Sequence, residues 1–225
     1  MGSERLTLPQ QKVWEYAHGL AYTLAREQLA NIKDIQEQCR KSGAQYLSSQ
    51  KAVAIAYLNQ NYRISLPGGE VSFAAGDEAV PARDKILILH YFLQARGTPP
   101  AGRLITYQEL PDGINYFPVF AKRAIKPVVS NFGGRPEQLL EAAAALGGKK
   151  ANYGDAAVTI SAFSHVPVTF ALWRGDDEFP PQGSIMFDGN IADYLTNDDI
   201  HALCETITWK LVKSLKAGGD NPGNR

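Results

Sequence analysis

Cysteine is scarce in this chain: Cys39 and Cys204, far apart, are the only two in 225 residues. Two thiols are too few for an iron–sulfur cluster or a cysteine-only zinc site. They read as the reduced thiols of a cytoplasmic protein. Net charge is also missing, since 23 basic residues balance 23 acidic ones. Nothing electrostatic draws the chain to nucleic acid or to an anionic membrane. No apolar run approaches the roughly 20 residues that span a bilayer. The opening MGSERLTLPQQK lacks the apolar core of a secretory leader. The four histidines, His18, His90, His165 and His201, show no short ligand spacing. A Walker loop, a dinucleotide fingerprint, a zinc signature and a serine–histidine–aspartate order are all absent. These absences remove the familiar motif-bearing classes. A carboxylate-only active site leaves weak sequence marks, so they do not decide whether the chain is an enzyme.

What is present is a regular succession of helix and strand patterns. The length suits one domain over residues 1–216, followed by a short disordered tail at 217–225. Residues 9–41 read as helix. The stripe Val13, Tyr16, Ala17, Leu20 and Leu24 gives way to Leu29, Ile32, Ile35 and Cys39, a change of phase that predicts a break near 27–31. AVAIAYL, YRISL and EVSF then form a three-stranded meander, with turns at 59–61 and 67–69. The unbroken apolar run 86–93 lies between Pro81 and Gly97 and reads as a helix buried on most sides. Helices are expected over 117–130 and from Pro136 to the Gly147-Gly148 cap. A second meander follows in AVTISAF, VPVTFALW and GSIMF. The last helix starts at an Asn197 cap and buries Ile200, Leu203, Cys204, Ile207, Leu211 and Leu215. The fold class is α+β: an antiparallel or mixed sheet from two short meanders, packed against several helices, with helical N- and C-termini.

Two regions carry candidate chemistry. In the first, Tyr107, Tyr116, Phe117 and Phe120 lie close in sequence to Glu109 and Arg123. An aromatic wall with a few polar groups is what a small-molecule pocket needs. The same composition also builds an ordinary helix–sheet interface. His90, inside the apolar helix, reads either as a satisfied core histidine or as a buried titratable group that marks a site. In the second region, residues 174–182 make a long loop with Asp176, Asp177 and Glu178 before Phe179-Pro180-Pro181. The prolines stiffen it, and its carboxylates suit a hard cation such as magnesium or calcium. Consecutive carboxylates also tend to point apart, and then they are solvated loop acids. Asp188 reads as the cap of a short following helix, IADYL. The acidic loop is expected to shape one edge of a cleft and the aromatic segment 107–123 the other.

LILHYFL, TYQELPDGINY, the F-x-x-R of Phe120 and Arg123, the helix-closing LGG, YGDAAV, LWRGDDEFP and MFDGNIADYL follow one another in order. This set resembles a prokaryotic family of anaerobes, domain of unknown function three-seven-eight-six. The resemblance implies shared positions at Tyr107, Glu109, Tyr116 and Asp155, and at Gly175, Asp176, Glu178 and Phe179. It also implies an association with anaerobic cofactor metabolism, some relatives being fused to a cysteine-rich iron–sulfur motif. This chain lacks that motif, so any redox role would come from a partner. Three functions follow. The preferred one is a binding module for a small, partly apolar ligand, such as a cofactor or tetrapyrrole-like molecule. The second is a metal-assisted hydrolase or transferase using Asp176 and Glu178 with Asp155 or Asp188. The third is an interaction subunit for an iron–sulfur or corrinoid protein. Ligand identity and oligomeric state are left open.

Overall fold

Helix α1 (Gln10–Ala30) opens the described part of the chain. The computed structural model describes residues 10–219, and side chains from 17 to 217. The opening nine residues, and the tail beyond Gly219, lie outside that range. The expected break falls after Ala30. Asp34 then caps α2 (Ile35–Ser42), its carboxylate accepting from the Glu37 N–H at 2.9 Å.

The buried face of α1 differs from the expected stripe. Leu20 and Leu24 are each 49% exposed, while Ala25 and Leu29 are buried and Tyr22 packs against the core. The cause is a set of polar ties. Tyr22 Oη donates to the Gly69 carbonyl at 3.2 Å and accepts from the Val71 N–H at 3.1 Å. Arg26 holds the Gly68 carbonyl and the Glu70 carboxylate. These ties turn the 22/25/26/29 face inward. The side chains of Val13 and Tyr16 lie outside the described residues.

The first meander is a four-stranded antiparallel sheet of β1 (Gln45–Leu47), β2 (Ala52–Tyr57), β3 (Gln60–Ser65) and β4 (Val71–Phe73), in that order. Tyr62 and Ile64 face the core, as their alternation predicts. The first turn is one step earlier than expected. Leu58 and Asn59 both take positive φ, at 47° and 61°, in a two-residue loop whose twist suits the flanking strands.

Helix α3 (Ala82–Gln94) is buried on most of its circumference, with Leu87, Ile88, Leu89, Tyr91 and Phe92 in the core. Then come β5 (Leu104–Thr106), α4 (Gly113–Phe120), a π-helical turn (Ala121–Ile125), α5 (Lys126–Phe132) and α6 (Gln138–Ala143). The second sheet is completed by β6 (Lys149–Ala151), β7 (Ala156–Phe163), β8 (Val166–Trp173) and β9 (Gln182–Asp188). Its order is β5-β9-β8-β7-β6, antiparallel throughout. Ile160, Val168, Phe170, Leu172, Ile185 and Phe187 form its core face. Between β7 and β8, β-bulge geometry places Phe163 where its ring stacks on Tyr91 at 4.0 Å and on Tyr57 at 4.8 Å. That ring joins both sheets to α3.

Asp188 clamps the 101–102 loop as well as the turn after it. It accepts from the Ala101, Gly102 and Asn190 N–H groups. IADYL is a 3-10 turn at Ile191–Asp193. Helix α7 (Asn197–Gly219) buries the predicted stripe from Ile200 to Leu211, leaves Leu215 half-buried, and continues past residue 217. Its cap is Thr196 rather than Asn197, because Thr196 Oγ1 accepts from the Asp199 N–H at 3.2 Å. The protein is therefore α+β, with helices at both described ends. Among the described residues, no helix is long and apolar enough to cross a membrane.

Candidate functional site

Tyr107 leaves the second sheet directly after β5 and turns back over it in a 3-10 turn. Gly113 makes this possible: a Cβ there would land on the Tyr107 carbonyl oxygen. The Tyr107 ring stacks on Phe120 of α4, centroids 4.1 Å apart and planes 10° from parallel. Burial pushes the phenol up from its ordinary value. Its hydroxyl reaches the Asn197 carbonyl at 3.4 Å. The predicted aromatic pair is thus assembled against the start of α7.

His201 of α7 stands edge-on to this pair, 5.7 Å from Phe120 and 6.3 Å from Tyr107. Its Nε2 is fully buried and has no hydrogen-bond partner among the described residues. Burial, followed by the guanidiniums of Arg123 and Arg83, holds the imidazole below its ordinary value against the pull of Glu205 and Asp198.

Beside this ring lies a cavity of about 260 Å³. His18 and Ala21 of α1 form one wall, and Arg83, Ile86 and Leu87 of α3 form the next. Arg123 enters from the π turn. The remaining wall is the first two turns of α7: Asp198, Asp199, His201, Ala202 and Glu205. Pro127 follows the π turn and brings no N–H to the helical ladder, and the Thr208 hydroxyl donates to the Ala124 carbonyl at 2.8 Å.

Most charges around the cavity are paired. Arg83 meets Glu205 at 3.1 Å. Asp199 Oδ1 lies 2.7 Å from His90 Nδ1, and its Oδ2 accepts from Thr196 Oγ1 at 2.7 Å and from Gln94 Nε2 at 3.2 Å. Burial alone would push the Asp199 carboxyl up. The bonds from His90, Thr196 and Gln94 outweigh it and hold the carboxyl below the usual range. Arg123 and Asp198 line the same space, and neither forms an ion pair or hydrogen bond with a described residue.

Four residues named from the sequence therefore converge. Tyr107 and Phe120 back His201, Arg123 lines the cavity, and His90 reaches it through Asp199. Two others lie apart. Glu109 closes a capping box with Thr106, whose backbone N–H at 2.7 Å holds the carboxyl below its ordinary value. Tyr116 is 58% exposed and does not line the cavity.

The acidic loop is placed elsewhere as well. Its residues line no part of this cavity, whose walls come from α1, α3, the π turn and α7. The loop stays at the end of the sheet. Pro181 is packed against Gly133, the residue that ends α5, and Arg174 pairs with Glu137 at 3.1 Å. Asp176 accepts from the Phe179 and Glu178 N–H groups at 2.7 and 2.9 Å, which holds its carboxyl below the usual range. Asp155 accepts from the Arg174 N–H at 2.7 Å. Glu178 and Phe179 are exposed. Among the described residues, no three His, Cys, Asp or Glu side chains are grouped to hold a metal ion. Both thiols are buried. Burial pushes Cys39 up to about 11 and raises Cys204 well above its ordinary value, which leaves both unreactive.

Arg83, Asp198, His201 and Glu205 were not singled out from the sequence. One signal was available: Asp198, His201 and Glu205 recur at helical spacing, so they form a polar line beside the apolar stripe of α7.

Fold and cavity together define an α+β protein with a small, charged and partly apolar cleft among its helices. The chain belongs to the family described as Domain of unknown function (DUF3786), whose model matches residues 34–209. Helix α1, with His18 and Ala21, precedes that span. No curated protein and no solved structure matches the chain.

Proposed function

We propose that the chain is a binding module for a small, partly apolar molecule, held in the cavity between α1, α3, the π turn and the start of α7. One observation carries this reading: His201, which lines the cavity, has a buried Nε2 with no hydrogen-bond partner among the described residues. Native proteins satisfy nearly all buried polar atoms, and this one gains a partner from a ligand when the His201 ring turns its Nε2 into the cavity. The Tyr107–Phe120 stack fixes the ring from behind, as a preformed site requires. At about 260 Å³ the space lies at the lower end of ligand cavities, generally about 300 Å³ and upward. This favours a small metabolite over the tetrapyrrole-sized molecule suggested by the resemblance. From that resemblance the reading keeps only an anaerobic setting.

The test is protein purified without oxygen, followed by native mass spectrometry and an absorption spectrum. A heavier species that is lost on denaturation supports the reading. His201→Phe, which keeps a ring of similar size and removes the polar atom, should abolish it. A wild-type chain of bare mass, which no metabolite pool stabilises against heat, would sink the reading.

A further inference from the structure

The charges of the same cavity narrow the ligand, an inference that rests on the binding reading above. Among the described residues, the lining carries two guanidiniums, Arg83 and Arg123, and three carboxylates, Asp198, Asp199 and Glu205. A bare anion entering this space meets three carboxylates, and a bare cation meets two guanidiniums. Like charges brought together in a partly desolvated cleft repel far more than they do in water. A dipolar ligand avoids both costs. Arg83 and Glu205 already neutralise one another, and Asp199 is taken by His90, Thr196 and Gln94. That leaves one charge of each sign, Arg123 and Asp198, on different elements facing one space, with no ion pair between them. The same space is also lined by four aliphatic residues, Ile86, Leu87, Ala21 and Ala202.

We propose that the cavity binds an α-amino acid with a small aliphatic side chain. Arg123 takes the carboxylate, Asp198 takes the ammonium, and the side chain lies against Ile86 and Leu87. An arginine fork matches a carboxylate with two parallel hydrogen bonds, which also fixes its orientation. The aliphatic lining discriminates by size only weakly, because one methylene in an apolar pocket changes affinity by about 10- to 200-fold.

The experiment uses the full chain and four probes: L-alanine, L-valine, 3-methylbutanoate (the carboxylate without the ammonium) and 2-methylpropylamine (the ammonium without the carboxylate). Thermal unfolding and titration calorimetry are the readouts. An amino acid should raise Tm saturably, by about 5–10 °C at a hundredfold excess over its Kd for a chain of this size. The two half-ligands should give no shift at equal concentration. Arg123→Gln and Asp198→Asn should each weaken binding at least about tenfold. Both side chains are exposed, so these variants should keep wild-type circular dichroism. Silence from both amino acids overturns the proposal, and so does 3-methylbutanoate binding as well as L-valine. If the amino acids are silent but a bound species survives in native mass spectrometry and is lost in His201→Phe, the binding reading stands and this inference alone fails.

Discussion

Replacing Asp199 by alanine removes one carboxylate that serves three neighbours. Its side chain is 8% exposed, so solvent screening takes little from these contacts. With Thr196 it closes the start of α7, and loss of such a cap costs about 1 kcal/mol. Its bond to His90 at 2.7 Å is of the charge-assisted kind, worth about 1.5–3 kcal/mol. These contributions share one group and do not simply add, so the expected loss is about 3 kcal/mol. For a chain of this size that lowers Tm by about 6–12 °C. The loss should also depend on pH. The folded-state carboxyl is held below its unfolded value, so Asp199 stabilises the fold fully above the ordinary aspartate pKa of about 3.9. That stabilisation declines as pH falls through the lowered folded value and is gone below it. Thermal unfolding of wild type and Asp199→Ala at pH 7, 5 and 3 measures it. The gap should be equal at the first two and narrower at the third. A gap under about 1 kcal/mol at pH 7, or one that persists undiminished at pH 3, would refute the reasoning.

Two further perturbations test the core that holds the site. Asp84 is 3% exposed; it accepts from Tyr57 Oη at 3.2 Å and lies 3.4 Å from Lys210 Nζ. Asp84→Ala should cost about 1–3 kcal/mol in denaturant unfolding, because a buried hydroxyl loses its partner. Lys210→Met should cost no more than about 1 kcal/mol, because Lys210 is partly solvated; equal losses would count against this assignment. Phe163→Ala removes the ring that stacks on both Tyr57 and Tyr91 and should cost about 3–5 kcal/mol, read as a lower urea midpoint at unchanged slope. A loss below about 1 kcal/mol would mean that this ring does not join the layers.

The strands were legible because alternation is a local property: Tyr62 and Ile64 face inward wherever β3 is placed. The break after α1 was legible for the same reason, since the phase of its apolar residues changes within a few positions. The buried face of α1 was not. Leu20 and Leu24 outweigh Tyr22 in apolar character, but the Tyr22 hydroxyl and the Arg26 guanidinium find backbone carbonyls some 40 residues away in sequence. Those contacts orient the helix, and no window of sequence contains both partners. The first hairpin turn was displaced because leucine at positive φ is rarely favoured, and Leu58 adopts it only because the register of β2 and β3 demands it. The α7 cap fell at Thr196 because it reaches Asp199 three residues on, a pairing that Asn197 does not make.

For the candidate site, the division between legible and hidden follows chain distance. The aromatic half, Tyr107 and Phe120, is encoded within fourteen residues and was visible as composition. The polar half is drawn one or a few residues at a time from α1, α3, the π turn and α7, and it exists only after packing. The acidic loop attracted attention for the opposite reason, since its carboxylates are adjacent in sequence. Adjacent like charges are most easily kept where water screens them, and the loop keeps its acids at the sheet's end, with Asp176 and Asp155 turned onto backbone N–H groups. Charges that folding brings inward need partners instead. Arg83 finds Glu205, and Asp199 finds His90. Arg123 and Asp198 line the same cavity without an ion pair to a described residue, and both are exposed, so water keeps them charged. If the cavity holds a ligand, this pair is where it should be recognised, and charge-neutral substitutions at both positions together should erase ligand binding while leaving the stability of the empty protein within about 0.5 kcal/mol of wild type.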